Sequence, residues 1–127
     1  MIGGGRLFGR LPGLTRETFL SASVGGERLA RINALIAASS RAPLLDLGRL
    51  KADLPVPAGP CPAVLVLGAA DDNVVDAEGV ASLARAYGVE PVVIDGIAHD
   101  VMLDEQWPAA AGAVLRWLDG LRRAGEA

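Results

Sequence analysis

This chain has little cysteine, lysine or aromatic residue content, and it has no long hydrophobic run. A single cysteine, Cys61, excludes an internal disulfide, which fits a reducing compartment and favours a cytoplasmic location. Uninterrupted hydrophobic runs reach only five residues, as in 63–67, whereas a membrane span needs about 20 residues. Lysine occurs once, and 12 basic against 15 acidic residues leave a net charge of −3. With no basic cluster, we expect neither a nucleic-acid partner nor a membrane span.

The residues that are present are enough for one folded domain. Of the 127 residues, 51% are hydrophobic, and the mean hydropathy is +0.36. This composition favours a packed core and argues against global disorder. Because aromatic residues make up only 4% of the chain, we expect a core of Ala, Val, Leu and Ile.

The first part, residues 1–53, is predicted to be helical and cap-like, with no strand. Five glycines and one proline between residues 3 and 14 favour an irregular lead-in. From Glu27 the spacing predicts a helix, with Arg28, Arg31 and Asn33 off an apolar stripe of Leu29, Ile32, Leu35 and Ile36. Ser39 or Ser40 is predicted to cap a second short helix, whose apolar residues are Leu44, Leu45, Leu47 and Leu50.

The second part alternates strand and helix. Residues 54–62 hold four prolines and a glycine, which predicts an extended connector. Residues 63–127 then predict two strands, 63–67 and 91–95, both buried on two faces, with Gly68 ending the first. The helix between them is expected to start at Asp76, to end before Gly88 and to bury Val80, Leu83, Ala84 and Tyr87. Pro108 opens a final helix, predicted to face inward with Val114, Trp117, Leu118 and Leu121.

This order predicts an α/β fold with a parallel strand pair and a right-handed crossover. The loops that follow the strands, 68–75 and 96–100, should then share one edge of the sheet. Adjacent strands lie about 4.8 Å apart, so an acid of the first loop can reach His99, the only histidine. Such a contact would orient the imidazole and stabilise its protonated form.

Other interpretations of these residues remain open. Asp71 and Asp72 lie where a turn or helix-cap residue is needed, and a lone loop histidine often has a structural role. A metal site is a further possibility, because one imidazole and several carboxylates lie in these loops: Asp71, Asp72, His99, Asp100 and Asp104. One histidine and no cysteine pair argue against zinc.

Two segments resemble the α/β-hydrolase family. Residues 62–76 resemble the segment that delivers the acid, and residues 93–104 are similar to the histidine segment of a bacterial lipase, esterase and lysophospholipase-like branch. The final helix, 107–121, matches the helix that covers the sheet, whereas residues 1–53 resemble the helical cap more loosely. The resemblance covers about half the chain well. It implies a partial α/β-hydrolase fold, an ester or lipid-like substrate, no cofactor and no metal, with Asp72 and His99 as catalytic residues.

Within the resemblance, Asp72 fits the acid better than Asp71. The family pattern is an aspartate followed by one variable and two aliphatic residues, which Asp72-Asn-Val-Val75 matches. Proline usually comes next in the family, and this chain has Asp76, which leaves the choice between Asp71 and Asp72 open.

The sequence contains no Gly-x-Ser-x-Gly nucleophile elbow. Ser21 and Ser23 lack the preceding glycine and strand, Ser82 falls inside a predicted helix, and Cys61 lies at the wrong end of a strand. We therefore expect the chain to be the C-terminal part of a serine hydrolase, a fragment that is inactive alone. The missing N-terminal hydrolase half, in a longer polypeptide or in a partner chain, would hold the nucleophile. The alternative is a non-catalytic α/β module that binds a partner, or itself, through an open sheet edge.

Overall fold

The computed structural model describes residues 11–39 and 63–126. Within them lie four helices and two strands. In chain order they are α1 (Pro12–Phe19), α2 (Gly26–Ala38), β1 (Leu67–Ala69), α3 (Ala77–Tyr87), β2 (Val92–Ile94) and α4 (Trp107–Gly125). The class is therefore mixed α/β. The predicted short helix at 44–50 and the connector at 54–62 lie outside the described residues.

The first helix replaces part of the predicted irregular lead-in, so that prediction was wrong from Pro12 onward. Proline suits the first turn of a helix because its missing N–H needs no partner there and its φ is already helical. A turn at residues 20–25 leads from α1 into α2. The two helices pack together through the buried side chains of Leu20, Val24, Leu29 and Ile32.

Helix α2 turns most of its predicted apolar stripe toward the core, including Ile36, which packs against it half-buried. Leu29 and Ile32 are buried as expected, but Leu35 is 60% exposed and Asn33 is buried. The amide oxygen of Asn33 accepts a hydrogen bond of 2.6 Å from the hydroxyl of Thr15 in α1, which satisfies this buried oxygen, whereas Nδ2 of Asn33 is buried without a hydrogen-bond partner in the described residues. Packing against α1 therefore selects the inward face.

Ser39 is the residue at which α2 ends, and the helix predicted after it lies outside the described residues. Its hydroxyl donates to the carbonyl oxygen of Leu35 at 2.9 Å, and its N–H donates to Ile36. Both bonds satisfy carbonyl groups that the end of a helix leaves without intrahelical partners.

The strands pair in parallel, as predicted, with Gly68 opposite Val93. The bounds differ, because β1 starts where the predicted strand ends and Gly68 lies at its centre. A Cβ atom on Gly68 would lie 2.9 Å from both γ-carbons of Val80. Glycine therefore permits the close approach of α3 to β1, next to a core of Val66, Val80 and Ala84.

The predicted burial of β2 on both faces was wrong. Val92 is 36% exposed and Val93 is 51% exposed. Helix α4 packs against β2 but buries the small residues Ala110 and Ala113. The predicted inward residues differ: Trp117 is half-buried, whereas Val114, Leu118 and Leu121 are exposed. The described sheet is only two strands wide, so it offers no broader surface for these side chains to cover.

The start and end signals of α3 and the start of α4 are confirmed. The carboxylate of Asp76 accepts a hydrogen bond from the N–H of Gly79 at 2.8 Å, and Gly88 adopts a left-handed φ of 65° past the end of α3. Pro108 lies in the first turn of α4. None of the helices in residues 11–39 and 63–126 has the length and apolarity to cross a bilayer.

Two glycine substitutions should change stability in opposite directions. Gly68→Ala places a methyl group against Val80 and should lower the free energy of unfolding by about 1–3 kcal/mol. Gly120→Ala, at an exposed helical position with open space around it, should raise it by about 0.5–1 kcal/mol. Urea unfolding followed by circular dichroism measures both. A Gly68→Ala variant as stable as the parent would show that α3 does not approach β1 so closely.

Candidate functional site

Two loops meet at the carboxyl ends of the strands. The acid loop, residues 70–75, follows β1, and the histidine loop, residues 95–106, follows β2. The N–H of Ala70 donates to Ile94 at 2.9 Å, and the N–H of Asp71 donates to Ile97 at 3.0 Å. These bonds continue the parallel pairing past the strands, so both loops lie on the same edge of the sheet.

The carboxylate of Asp72 is held by its own loop. Its Oδ1 atom accepts from the N–H groups of Val74 at 2.7 Å and of Val75 at 2.9 Å. Asp side chains bond to N–H groups just ahead of them in this way in turns. The Oδ2 atom remains for a partner, and it lies 3.0 Å from Nδ1 of His99.

The predicted contact between an acid and His99 is present, and it falls on Asp72. The side chain of Asp72 is 9% exposed, whereas Asp71 is exposed. Burial raises the pKa of Asp72, but hydrogen bonds from the Val75 N–H, from His99 and from the Val74 N–H outweigh it and hold that pKa below its ordinary value. An ionised carboxylate therefore faces the imidazole.

The imidazole of His99 is held on one side and open on another. Because ionised Asp72 can only accept, Nδ1 is the donor, which makes Nε2 the acceptor of the neutral ring. Within the described residues no hydrogen bond reaches Nε2, and the side chain is 33% exposed. The ring of Phe19 packs beside the imidazole, with centroids 5.9 Å apart. Helix α1 thus forms one wall of the site.

A second carboxyl group, Asp100, lies next to His99 in the chain. Its N–H donates to the carbonyl oxygen of Phe19 at 2.8 Å, which ties the histidine loop to the end of α1. Burial raises the pKa of Asp100, attraction to His99 lowers it, and repulsion from Asp72 raises it further, so the net direction is upward.

A buried hydrogen-bond network, which no sequence pattern indicated, surrounds Asp104. Asp104 is fully buried. Its carboxylate accepts two hydrogen bonds from Ser21, one from the backbone N–H at 2.7 Å and one from the hydroxyl at 2.8 Å. Burial raises the pKa of Asp104, but the bonds from Ser21, Gln106 and Ala98 bring it below its ordinary value. Ser21 and Asp104 are 83 residues apart, so no local pattern in the sequence links them.

Within the described residues, the serines Ser21, Ser23 and Ser82 make no hydrogen bond to the His99 ring. The hydroxyl of Ser21 donates to Asp104 and lies 2.6 Å from that of Ser23. Ser82 is exposed on α3, and Cys61 lies outside the described residues. In the part of the chain that the structure describes, no three His, Cys, Asp or Glu side chains come together in a way that could hold a metal ion.

The chain matches no protein-family model, no curated protein and no solved structure.

Asp72→Asn should lower stability in a pH-dependent way. A pKa that is lower in the folded chain than in the unfolded chain means that ionised Asp72 stabilises the fold. This contribution is complete above the unfolded pKa of about 4 and is lost as pH falls through the folded pKa. At pH 7 we expect the free energy of unfolding of the variant to be about 1–2 kcal/mol lower than that of the parent, because a neutral amide replaces the ionised acceptor of these hydrogen bonds. Below about pH 4 the difference from the parent should shrink.

Asp71→Asn is the matched control. It removes the same charge one residue away, on an exposed side chain without a hydrogen bond in the described residues, so a change within about 0.5 kcal/mol is expected. Urea unfolding of the three proteins at pH 7, 5 and 3 makes the comparison. Asp104 is present in all of them, so the difference isolates Asp72. A deficit of Asp72→Asn that is equal at every pH would contradict the proposed ionisation.

Proposed function

We propose that this chain supplies the acid and the base of an acyl-transfer site of the α/β-hydrolase kind, with the nucleophile contributed by a polypeptide segment outside this sequence. The observation that supports the proposal most directly is the 3.0 Å contact between Asp72 Oδ2 and His99 Nδ1. The carboxylate is fixed by two backbone N–H groups, and Nε2 is left as the basic atom. An acid that fixes the histidine tautomer is the relation a triad requires.

In this proposal Nε2 of His99 removes the proton from a serine hydroxyl as its oxygen attacks an ester carbonyl carbon. Asp72 stabilises the imidazolium ion that results. The imidazolium then protonates the departing alkoxide, the ester C–O bond breaks, and an acyl-serine remains. A water molecule, deprotonated in turn by Nε2, releases the acid and regenerates the serine.

Apolar side chains around the site favour an acyl or alkyl group in the substrate. Phe19 packs beside the imidazole, and Val74 and Val75 of the acid loop are 49% and 41% exposed. These side chains would bury apolar substrate surface against the chain, which is favourable by about 25 cal/mol per Å². We therefore propose an ester or lipid-like substrate with an apolar portion.

A second candidate is a non-catalytic module that binds a partner chain, or a second copy, through its sheet. The exposed Val92 and Val93 of β2 favour it, because parallel strands are ordinarily covered on both faces. The two candidates differ in whether the complex reacts with a fluorophosphonate, which modifies an activated serine.

The chain alone should hydrolyse p-nitrophenyl butyrate negligibly and should not be labelled by a fluorophosphonate, because it lacks a nucleophile elbow. Chain tagged at its own gene in the natural host should purify with, or as part of, a polypeptide that contains Gly-x-Ser-x-Gly and is labelled. In that protein, Asp72→Asn should lower kcat/KM by a factor on the order of 10⁴, and His99→Ala should abolish labelling.

Asp71→Asn is again the control and should leave turnover within about twofold of the parent, because its exposed side chain does not contact His99. A stable 13 kDa monomer with no labelled partner would refute the catalytic proposal. A defined complex that resists fluorophosphonate would favour the binding module instead.

A further inference from the structure

We infer that Asp104 is a positioning residue for the proposed acid–base pair. With Ser21 it forms a buried clamp, the pair of residues Ser21 and Asp104, that holds His99 against Asp72. The inference rests on the proposed function. It gives a role to the buried carboxylate of Asp104, which takes no part in the acyl-transfer steps.

The carboxylate of Asp104 accepts hydrogen bonds at both of its oxygens. It is completely buried and has no cationic partner within residues 11–39 and 63–126. Both oxygens accept hydrogen bonds: Oδ1 from the Ser21 hydroxyl at 2.8 Å and the Gln106 N–H at 3.4 Å, and Oδ2 from the Ser21 N–H at 2.7 Å and the Ala98 N–H at 3.5 Å. A buried carboxylate requires such donors, so these groups are drawn together around it.

The groups that donate to Asp104 come from three separate parts of the fold. Ser21 belongs to the turn between α1 and α2, Gln106 directly precedes α4, and Ala98 directly precedes His99. One carboxylate therefore joins the N-terminal helices, the last helix and the backbone beside the imidazole. Ala98 is 2% exposed, so this part of the backbone is enclosed.

His99 is anchored on its other side to the end of α1, directly before that turn. The N–H of Asp100 donates to Phe19 at 2.8 Å, and the Phe19 ring packs beside the imidazole. Both chain neighbours of His99 are thus bonded, one to Phe19 directly and one to Asp104, which is itself bonded to Ser21. Swinging the imidazole away from Asp72 by a backbone movement would break these bonds.

Asp104 therefore acts through the backbone and does not contact the imidazole. Catalytic geometry is sensitive to such support, since a misplacement of about 1 Å can lower a rate by about 10²-fold. The clamp explains why a residue five positions past His99 is buried with its charge.

The test follows the imidazole of His99 by NMR, and the chain's single histidine makes its assignment unambiguous. In ¹⁵N-histidine-labelled chain we measure the fraction of ring protonated at Nδ1 in the neutral form and the solvent exchange rate of that proton. The Asp72→Asn variant gives the reference values of both quantities for a His99 ring that has no carboxylate partner. Asp104→Asn should move the signal toward that reference, with at least tenfold faster exchange. Ser21→Ala, which keeps the backbone donor, should have a smaller effect in the same direction.

Two neighbouring substitutions are matched controls. Glu105→Gln changes the adjacent acid, which is on the surface and 3.5 Å from Arg28. Ser23→Ala removes the hydroxyl that meets Ser21 but leaves Ser21 bonded to Asp104. Both should retain the parent signal.

Each outcome decides the inference. If Asp72→Asn changes the His99 signal while Asp104→Asn and Ser21→Ala lower only the free energy of unfolding, Asp104 is merely structural and the inference is overturned, although the proposed function stands. If Asp72→Asn leaves the signal unchanged, the acid–base pair does not form, and both proposals fail. Should Asp104→Asn not fold, Ser21→Ala decides by the same criterion.

Discussion

The parallel register of β1 and β2 is the constraint on which the candidate site depends. Pairing of Gly68 with Val93 places the ends of both strands at one edge, and two further backbone bonds extend the pairing into the loops. Asp72 and His99, 27 residues apart, are thereby brought to 3.0 Å. An antiparallel pair would send the two loops to opposite ends of the sheet. The parallel direction of the two strands therefore brings the loops together, and the side chains of Asp72 and His99 can meet only because of it.

The parts of the structure that could be predicted from sequence are those with local causes. Asp76 and Gly88 mark the limits of α3 because a side-chain cap and a left-handed glycine act within one turn. The contact of an acid in the first loop with His99 was also predicted, from two strands in order and the loops that follow them, whereas Asp72 was favoured over Asp71 only by the family resemblance. Its catalytic role remains a prediction.

The parts that could not be predicted depend on contacts distant in sequence. Asn33 is buried because Thr15 lies against it, and Ser21 meets Asp104 across 83 residues. The inward face of α4 is set by Ala110 and Ala113 rather than by its larger residues, because a helix buries whichever face its neighbours meet. Hydrophobic periodicity identified these helices but not all of the residues that they bury.

Asp76, directly after the acid loop, opens α3 through its side chain. Proline favours a helix start through a rigid ring, whereas Asp76 does so through a hydrogen bond to Gly79 on the surface. Water can replace the hydrogen bond between Asp76 and Gly79, whereas it has no effect on the φ angle that a proline ring fixes. The start of α3, directly after the loop that carries Asp72, is therefore fixed by an exposed hydrogen bond rather than by a covalent ring.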